Sequence, residues 1–215
     1  WWVGGEGGWG GGGEKGDRGV VVRGGTRGEM IERGCKAGRA EKWVERSRDL
    51  WTGSGCSGVG AAAGFSEAEG DVADISAEAR EVAESNIDLH GVRERVRTVQ
   101  SDVFENIKGR YDIIVSNPPY VDAEDLSGMP DEYRHEPELG LAAGEDGLDI
   151  AHRIIAGAAD HLTPGGLLVV EVGNSWVAMD EAYPELPLTW LEFENGGDGV
   201  FLITEPDLRQ WQASS

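Results

Sequence analysis

From Arg48 to Thr204, short apolar runs alternate with segments of helical period, and this alternation constrains the fold more than any other feature of the chain. A strand joined through a helix to the next strand pairs in parallel, so the pattern predicts βαβ units and a mostly parallel sheet. Strands are expected at Asp49–Trp51, Asp71–Ile75, Val96–Gln100, Tyr111–Ser116 and Leu167–Val172. Helices are expected at Ser57–Ala63, Ala77–His90, Leu148–His161 and Ser175–Ala182, the second opened by Ser76 as N-cap. Thr163-Pro164-Gly165-Gly166 reads as a turn before the fifth strand. Thr189–Glu194 and Val200–Thr204 flank Asn195-Gly196-Gly197-Asp198-Gly199 and read as a hairpin. Five crossover strands and a terminal antiparallel hairpin make a seven-stranded, doubly wound α/β sheet, assigned to residues 47–206, with residues 207–215 as a carboxy-terminal tail.

Residues 1–46 do not follow this pattern. Fifteen of the 34 glycines fall in residues 1–38, with Trp1, Trp2 and Trp9 among them. Glycine at that density carries a high backbone-entropy cost for any ordered element. The stretch reads as a flexible tail or as a segment of uncertain residue assignment.

Ligands of open α/β sheets bind outside the carboxyl ends of the strands. Asp49-Leu50-Trp51-Thr52-Gly53-Ser54-Gly55-Cys56 leaves the first strand and opens a helix, with glycines that admit a ligand close to the backbone. Asp74, followed by Ile75, ends the second strand 21 residues after Gly53, the position from which a carboxylate reaches ribose hydroxyls. Asp102 ends the third strand, where it accepts from an adenine amino group or caps a short helix. The loop has no third glycine spaced for a pyrophosphate, and simple dinucleotide folds lack the terminal hairpin. S-adenosylmethionine therefore fits better than NAD. On this reading Asp49 and the backbone of Thr52, Gly53, Ser54 and Gly55 hold the methionine part, Asp74 and Ile75 the ribose side, and Asp102 with Val103 the adenine. Asp49 has the alternative role of fixing the loop by hydrogen bonds.

The fourth strand ends on the same edge in Asn117-Pro118-Pro119-Tyr120. Two prolines donate no backbone hydrogen bonds and fix φ, so they stop the strand and stiffen a turn rich in acceptors. The Asn117 side-chain oxygen and the Pro118 carbonyl can accept both hydrogens of an amide or amino group, with Tyr120 as a flat wall. This arrangement points to methyl transfer onto a planar nitrogen.

With these motifs in place, residues 48–205 resemble the glutamine N(5)-methyltransferases. The likeness is greatest to the branch acting on the third protein of the large ribosomal subunit. It rests on Thr52–Cys56, on Asn117-Pro118-Pro119-Tyr120-Val121-Asp122-Ala123-Glu124-Asp125, and on the run from Glu132 to Gly144. Thr189-Trp190-Leu191-Glu192-Phe193 and Gly196–Phe201 add to it. The resemblance implies a class I S-adenosylmethionine-dependent methyltransferase in which Asn117 touches cofactor and substrate. Pro118, Pro119 and Tyr120 would line the glutamine site, and Glu136-Pro137 would lie in the loop over it. Trp51 and Gly70 depart from the pattern, standing where the family has a small and a β-branched residue. Nothing in residues 1–46 matches the family's amino-terminal helical domain.

The formal charge is −21, and residues 1–46 carry 9 basic and 7 acidic groups of the 19 and 40 in the chain. The remainder therefore holds 10 basic and 33 acidic groups, a field that repels nucleic acid and either favours a basic protein partner or is an acidic solvated surface with no partner. A large-subunit ribosomal protein is the expected substrate and a translation release factor the less expected one. Methylation of a nucleic-acid base and a non-catalytic ribosome-assembly binding module are the rival readings. Cys35, Cys56 and four scattered histidines form no metal-ligand spacing. With no apolar run of membrane-spanning length and no leader pattern, the expected address is a reduced cytoplasm, away from membranes.

Overall fold

The computed structural model of the chain describes residues 2–3, 14–15, 44–65, 67–119, 147–192 and 199–214. The hairpin turn Asn195–Asp198, Tyr120, the Glu132–Gly144 run and nearly all of residues 1–43 lie outside them. Trp2–Val3 pairs antiparallel with Glu14–Lys15 apart from the main sheet.

The main sheet has seven strands: β1 (Arg46–Leu50), β2 (Glu69–Asp74), β3 (Val96–Gln100), β4 (Tyr111–Ser116), β5 (Leu162–Glu171), β6 (Thr189–Trp190) and β7 (Val200–Thr204). Their spatial order is β3-β2-β1-β4-β5-β7-β6. The first five pair in parallel, while β7 is antiparallel to both β5 and β6. The doubly wound sheet with its terminal antiparallel pair is thus the observed architecture, with β4 in the centre and β1 beside it.

β1 begins three residues earlier than the sequence suggests. Arg46-Ser47-Arg48 does not read as a central strand, because charged side chains are rarely buried. Two carboxylates make it possible. Asp112 accepts from the backbone N–H groups of Glu45 and Arg46 at 2.9 and 3.0 Å, and Asp71 takes the guanidinium of Arg48 at 3.1 Å. Trp51, expected to end this strand, lies beyond it at φ 55°.

Helix α1 (Cys56–Gly64) is built from small residues for a steric reason. A Cβ on Gly58 would sit 2.1 Å from Val72 Cγ1, so the helix lies close against β2 only with glycine there. Helix α2 (Ala77–Leu89) starts as expected, with the Ser76 hydroxyl accepting from the Ala79 N–H at 3.2 Å. Helix α3 (Asp149–His161) buries Ala151, Ile154, Ile155, Ala158 and Ala159, a single 3.6-residue stripe. Ile154 and Ile155 are fully buried, each stabilising the fold by about 1.5–3 kcal/mol. The stripe joins Leu50, Ile114, Leu168, Val170 and Phe201 in the larger core, while α1 and α2 cover the opposite face through Val59, Ala62, Val72, Ala83 and Ile87.

Three elements differ from expectation. The Thr163–Gly166 turn lies inside β5: Tyr111 pairs with Leu162 and Ile113 with Leu167, so the four residues bulge out of the ladder. Helix α4 (Trp176–Ala182) is entered through a 3-10 turn at Gly173–Ser175. Most of the expected tail is helix α5 (Glu205–Ser214), which buries Leu208 and donates from Arg209 Nη2 to the Ala159 carbonyl of α3 at 2.6 Å. Pro206 reads as a helix breaker but is tolerated in the first turn. The signal for this helix was Thr204, whose hydroxyl accepts from the Asp207 N–H at 3.3 Å.

Candidate active site

The residues singled out by sequence converge on the carboxyl edge of the sheet. In register, Leu50 pairs with Ala73 and Ser116, and Asp74 pairs with Gln100. Leu50, Ala73 and Ser116 consequently share one row, and Trp51, Asp74, Gln100 and Asn117 lie at the same edge of the sheet. Backbone bonds carry the row beyond the strands, from Thr52 N–H to the Ala73 carbonyl at 3.1 Å and from Ser101 N–H to the Asp74 carbonyl at 3.3 Å.

The glycine loop is fixed from three sides. Asp49, only 2% exposed, accepts at Oδ2 from the Thr52 hydroxyl at 2.5 Å and the Gly58 N–H at 3.0 Å. It acts on the loop, the alternative considered for it from sequence. Asp74 Oδ2 accepts from the Gly53 N–H at 3.0 Å. Asn86, 1% exposed on α2, donates to the Ser54 carbonyl at 2.8 Å. Sequence reasoning missed Asn86, although a polar residue on the buried stripe of Ala79, Ala83 and Ile87 was a usable signal. The Ser54 side chain is fully buried and its hydroxyl meets Cys56 Sγ at 2.5 Å, so this residue presents backbone rather than hydroxyl to the edge. Gly55 turns into α1 at φ 79°, and a Cβ there would lie 2.9 Å from Ala83 Cβ. Loop and α2 therefore pack backbone to side chain.

Asp74 is 5% exposed, and its Oδ1 accepts from the Ser76 N–H at 2.9 Å. Burial pushes its carboxyl above the usual range, and the N–H groups of Ser76 and Gly53 only partly oppose that. Ile75 beside it is 40% exposed, an apolar surface on the rim of the crevice.

Beyond β3 the chain makes a turn rather than a helix, so Asp102 caps no helix. Its Oδ2 is ion-paired with Arg153 of α3 at 2.9 Å. Val103 is 3% exposed at φ 49°, costly for a β-branched residue. The Ser101 hydroxyl holds that conformation by donating to the Val103 carbonyl at 2.9 Å and accepting from the Asn106 N–H at 3.0 Å. Ser101 and Arg153 are also contributors that the sequence did not signal.

Asn117 is half-buried at the end of β4, and Pro118 and Pro119 are buried after it. Ser116 anchors the start of the turn by donating its hydroxyl to the Leu50 carbonyl at 2.8 Å, which ties β4 to the root of the glycine loop. Tyr120 lies outside the described residues. Among the described residues, no group of three or more histidine, cysteine or acidic side chains forms a metal centre, and no helix is long and apolar enough to cross a membrane.

With this geometry established, comparison with known proteins is direct. Residues 40–129 match the family model described as the methyltransferase small domain. The chain is 50% identical over 165 residues to a ribosomal protein uL3 glutamine methyltransferase of Francisella tularensis, covering 76% of this chain and 52% of the relative. It is 48% identical over 169 residues to the protein of that name in Neisseria gonorrhoeae, covering 78% and 56%. The chain thus spans about half the length of the curated relatives it matches. Among solved structures, a methyltransferase from Pyrococcus furiosus superposes with a TM-score of 0.59 at 18% identity, covering 84% of this chain and 81% of that one. An RNA methyltransferase from Salinibacter ruber, in complex with S-adenosyl-L-homocysteine, superposes at 0.53 with 17% identity, covering 82% and 90%. These two likenesses are of fold alone, and together with the family model they give the sheet the class I methyltransferase fold. With half of its aligned residues in common with the two curated enzymes and the fold of a methyltransferase, the chain belongs to the glutamine N(5)-methyltransferase family.

Proposed function

We propose that this chain transfers a methyl group from S-adenosylmethionine to the side-chain amide nitrogen of a glutamine in a large-subunit ribosomal protein, the counterpart of uL3 in its relatives. The observation that carries the proposal is the position of Asn117-Pro118-Pro119. It shares one sheet edge with the glycine loop and Asp74, tied to the loop's root by the bond from Ser116 to Leu50.

The residues present fit the cofactor. The Thr52–Gly55 backbone forms a small-residue cradle, Asp74 is a carboxylate with a burial cost that a hydroxyl donor would relieve, and Ile75 offers an apolar rim. Thr52–Gly55 would hold the methionine part with Asp49 fixing their loop, Asp74 and Ile75 the ribose side, and Asp102 with Val103 the adenine. When bound, the cofactor supplies an electrophilic methyl group on a sulfonium.

An amide nitrogen is a weak nucleophile because its lone pair is delocalised into the carbonyl, so the protein's contribution is orientation. The Asn117 oxygen and the Pro118 carbonyl accept the two amide hydrogens and turn the nitrogen toward the methyl group. As positive charge develops on that nitrogen, both oxygens bind it more strongly than in the ground state, and that differential binding lowers the barrier. Pro118 and Pro119 keep the pair rigid. The proton leaves after transfer, when the nitrogen has become acidic, so Asn117 need not act as a base.

The test is mass spectrometry of the large-subunit ribosomal protein after incubation with the chain and methyl-labelled cofactor. A single added methyl on a glutamine is expected. Label in ribosomal RNA instead of protein, or in a release factor alone, overturns the proposed substrate. No transfer at all overturns the activity.

A further inference from the structure

Helix α4 begins five residues after the end of β5, on the edge that carries the proposed site, and its outer face is divided in two. Trp176 and Val177 are 45% and 47% exposed in its first turn. One turn later, on the same face, come Asp180 and Glu181, both exposed. Trp176 is large, apolar and open to solvent, yet it is held in place. Its ring meets Trp190 of β6 edge-on at 6.2 Å, and Trp190 in turn meets the fully buried Phe201 at 5.6 Å. Trp190 Nε1 donates to Asp180 Oδ1 at 3.0 Å. The result is an exposed indole on a platform fixed to the core, the kind of rigid aromatic anchor that dominates interface energetics.

The charge along this stretch of the chain has one sign. From Glu171 to Glu192 the chain carries Glu171, Asp180, Glu181, Glu185 and Glu192 and no lysine, arginine or histidine. Carboxylates beside indole faces favour a cation-bearing partner with an apolar part, through ion pairing and cation–π contact, and they repel a phosphate backbone. Position supports the same reading. Ser116 pairs with Val170, Val170 with Phe201 and Phe201 with Trp190, so one sheet row runs from the Asn117 turn to this platform. Three strand spacings make that about 14 Å, which an extended peptide crosses in about four residues.

We propose that Trp176, Val177 and Trp190, with the carboxylates of Asp180 and Glu181, form a docking surface for a lysine- or arginine-bearing segment of the substrate protein, seated about four residues from the methylated glutamine. The inference rests on the methyl-transfer reading above and adds a specificity surface outside the catalytic turn.

The test compares Trp176→Ala, Trp176→Phe and Glu181→Lys with the unaltered chain on two substrates. One is the intact ribosomal protein, and the other is a short peptide holding the glutamine with two residues on each side. On the intact protein, Trp176→Ala and Glu181→Lys are expected to raise KM about tenfold with kcat within twofold, the loss of one hot-spot contact or charge pair. Trp176→Phe should recover most of the loss, and the short peptide should not distinguish the variants. Calorimetric affinity for S-adenosylhomocysteine should stay level, which reports intact folding. Unchanged KM on the intact protein overturns the docking surface and leaves the activity standing. A fall in kcat on both substrates overturns it as well, by making the residues structural. If the unaltered chain methylates neither substrate, or methylates RNA, the functional reading fails and the docking surface with it.

Discussion

Asp71 and Asp74 lie three residues apart on β2, both about 5% exposed, and they face opposite electrostatic circumstances. Asp71, toward the amino end, accepts from Arg97 and from the Tyr111 hydroxyl at 2.6 Å, and Arg48 lies 3.1 Å away. Burial alone would raise its pKa, but the hydrogen bonds from Arg97 and Tyr111 and the charge of Arg48 hold it below the usual carboxylate range. Asp74, toward the carboxyl end, has backbone N–H groups as its hydrogen-bond partners, and burial wins. At the amino edge the Asp71 carboxylate is compensated, with Arg46 and Arg48 also stacked on Tyr111 at 4.7 and 5.2 Å, while burial still lowers the pKa of Arg48. The carboxyl edge keeps a carboxylate at a cost to the fold. The Asp71 carboxylate is thus held by charges and donors within the protein, whereas that of Asp74 is left partly uncompensated.

Removing the compensation at the amino edge should have the largest effect. Arg48 is 1% exposed and its guanidinium makes no hydrogen bond among the described residues, so its stability depends on the charge of Asp71 and the ring of Tyr111. Asp71→Ala is expected to lower the unfolding free energy in urea by about 3–5 kcal/mol, the cost of stranding a buried charge. A loss below about 1 kcal/mol would show that the two edges do not differ as described.

At the carboxyl edge the effects should fall on function. Asn117→Ala is expected to cut turnover by about two to three decades with little change in cofactor affinity, as removal of a preorganised polar partner does. Turnover at the unaltered rate would eliminate Asn117 from the chemistry. Asp74→Ala should weaken S-adenosylhomocysteine binding about ten- to a hundredfold by calorimetry, the worth of a charged hydrogen bond. An unchanged dissociation constant would remove Asp74 from the cofactor site.

The smallest effect is the pH dependence of stability, where the two carboxylates have opposite signs. The folded-state pKa of Asp71 is depressed, so its contribution is complete above the ordinary carboxylate value of about 3.9 and is lost as pH falls through the depressed one. That of Asp74 is raised, so the fold is least burdened below the ordinary value and loses stability as pH rises through the raised one. Urea titrations across pH should show the acid-side loss disappear in Asp71→Asn and the loss on raising pH disappear in Asp74→Asn. Parallel curves for both variants would mean the two environments are alike.

Local chemistry made much of this legible in the sequence. Val96–Gln100, Tyr111–Ser116 and Val200–Thr204 were read with the observed boundaries because apolar runs bounded by turn residues leave little choice. Ser76 was read as a cap because its hydroxyl acts on a backbone group three residues away. The start of β1 was hidden because Arg46 and Arg48 look like surface until Asp71 and Asp112, on two other strands, are brought beside them. α5 reads as a tail from sequence because Leu208 is buried, and Trp211 partly so, only once the segment packs against the core.

The sequence by itself determined the alternation of strands and helices, the glycine loop, the acidic residues at the strand ends and the proline-stiffened turn, since each depends on residues within a few positions of one another. The tertiary structure decided that Asp71 meets Arg48, Arg97 and Tyr111 while Asp74 meets backbone N–H groups, how Asn86 and Ser116 hold the loop and the turn in register, and that Trp176 stands on Trp190 and Phe201. Those outcomes depend on charges, hydroxyls and rings brought together from distant parts of the chain, and their spacing along it carries no trace of the distances that fix them.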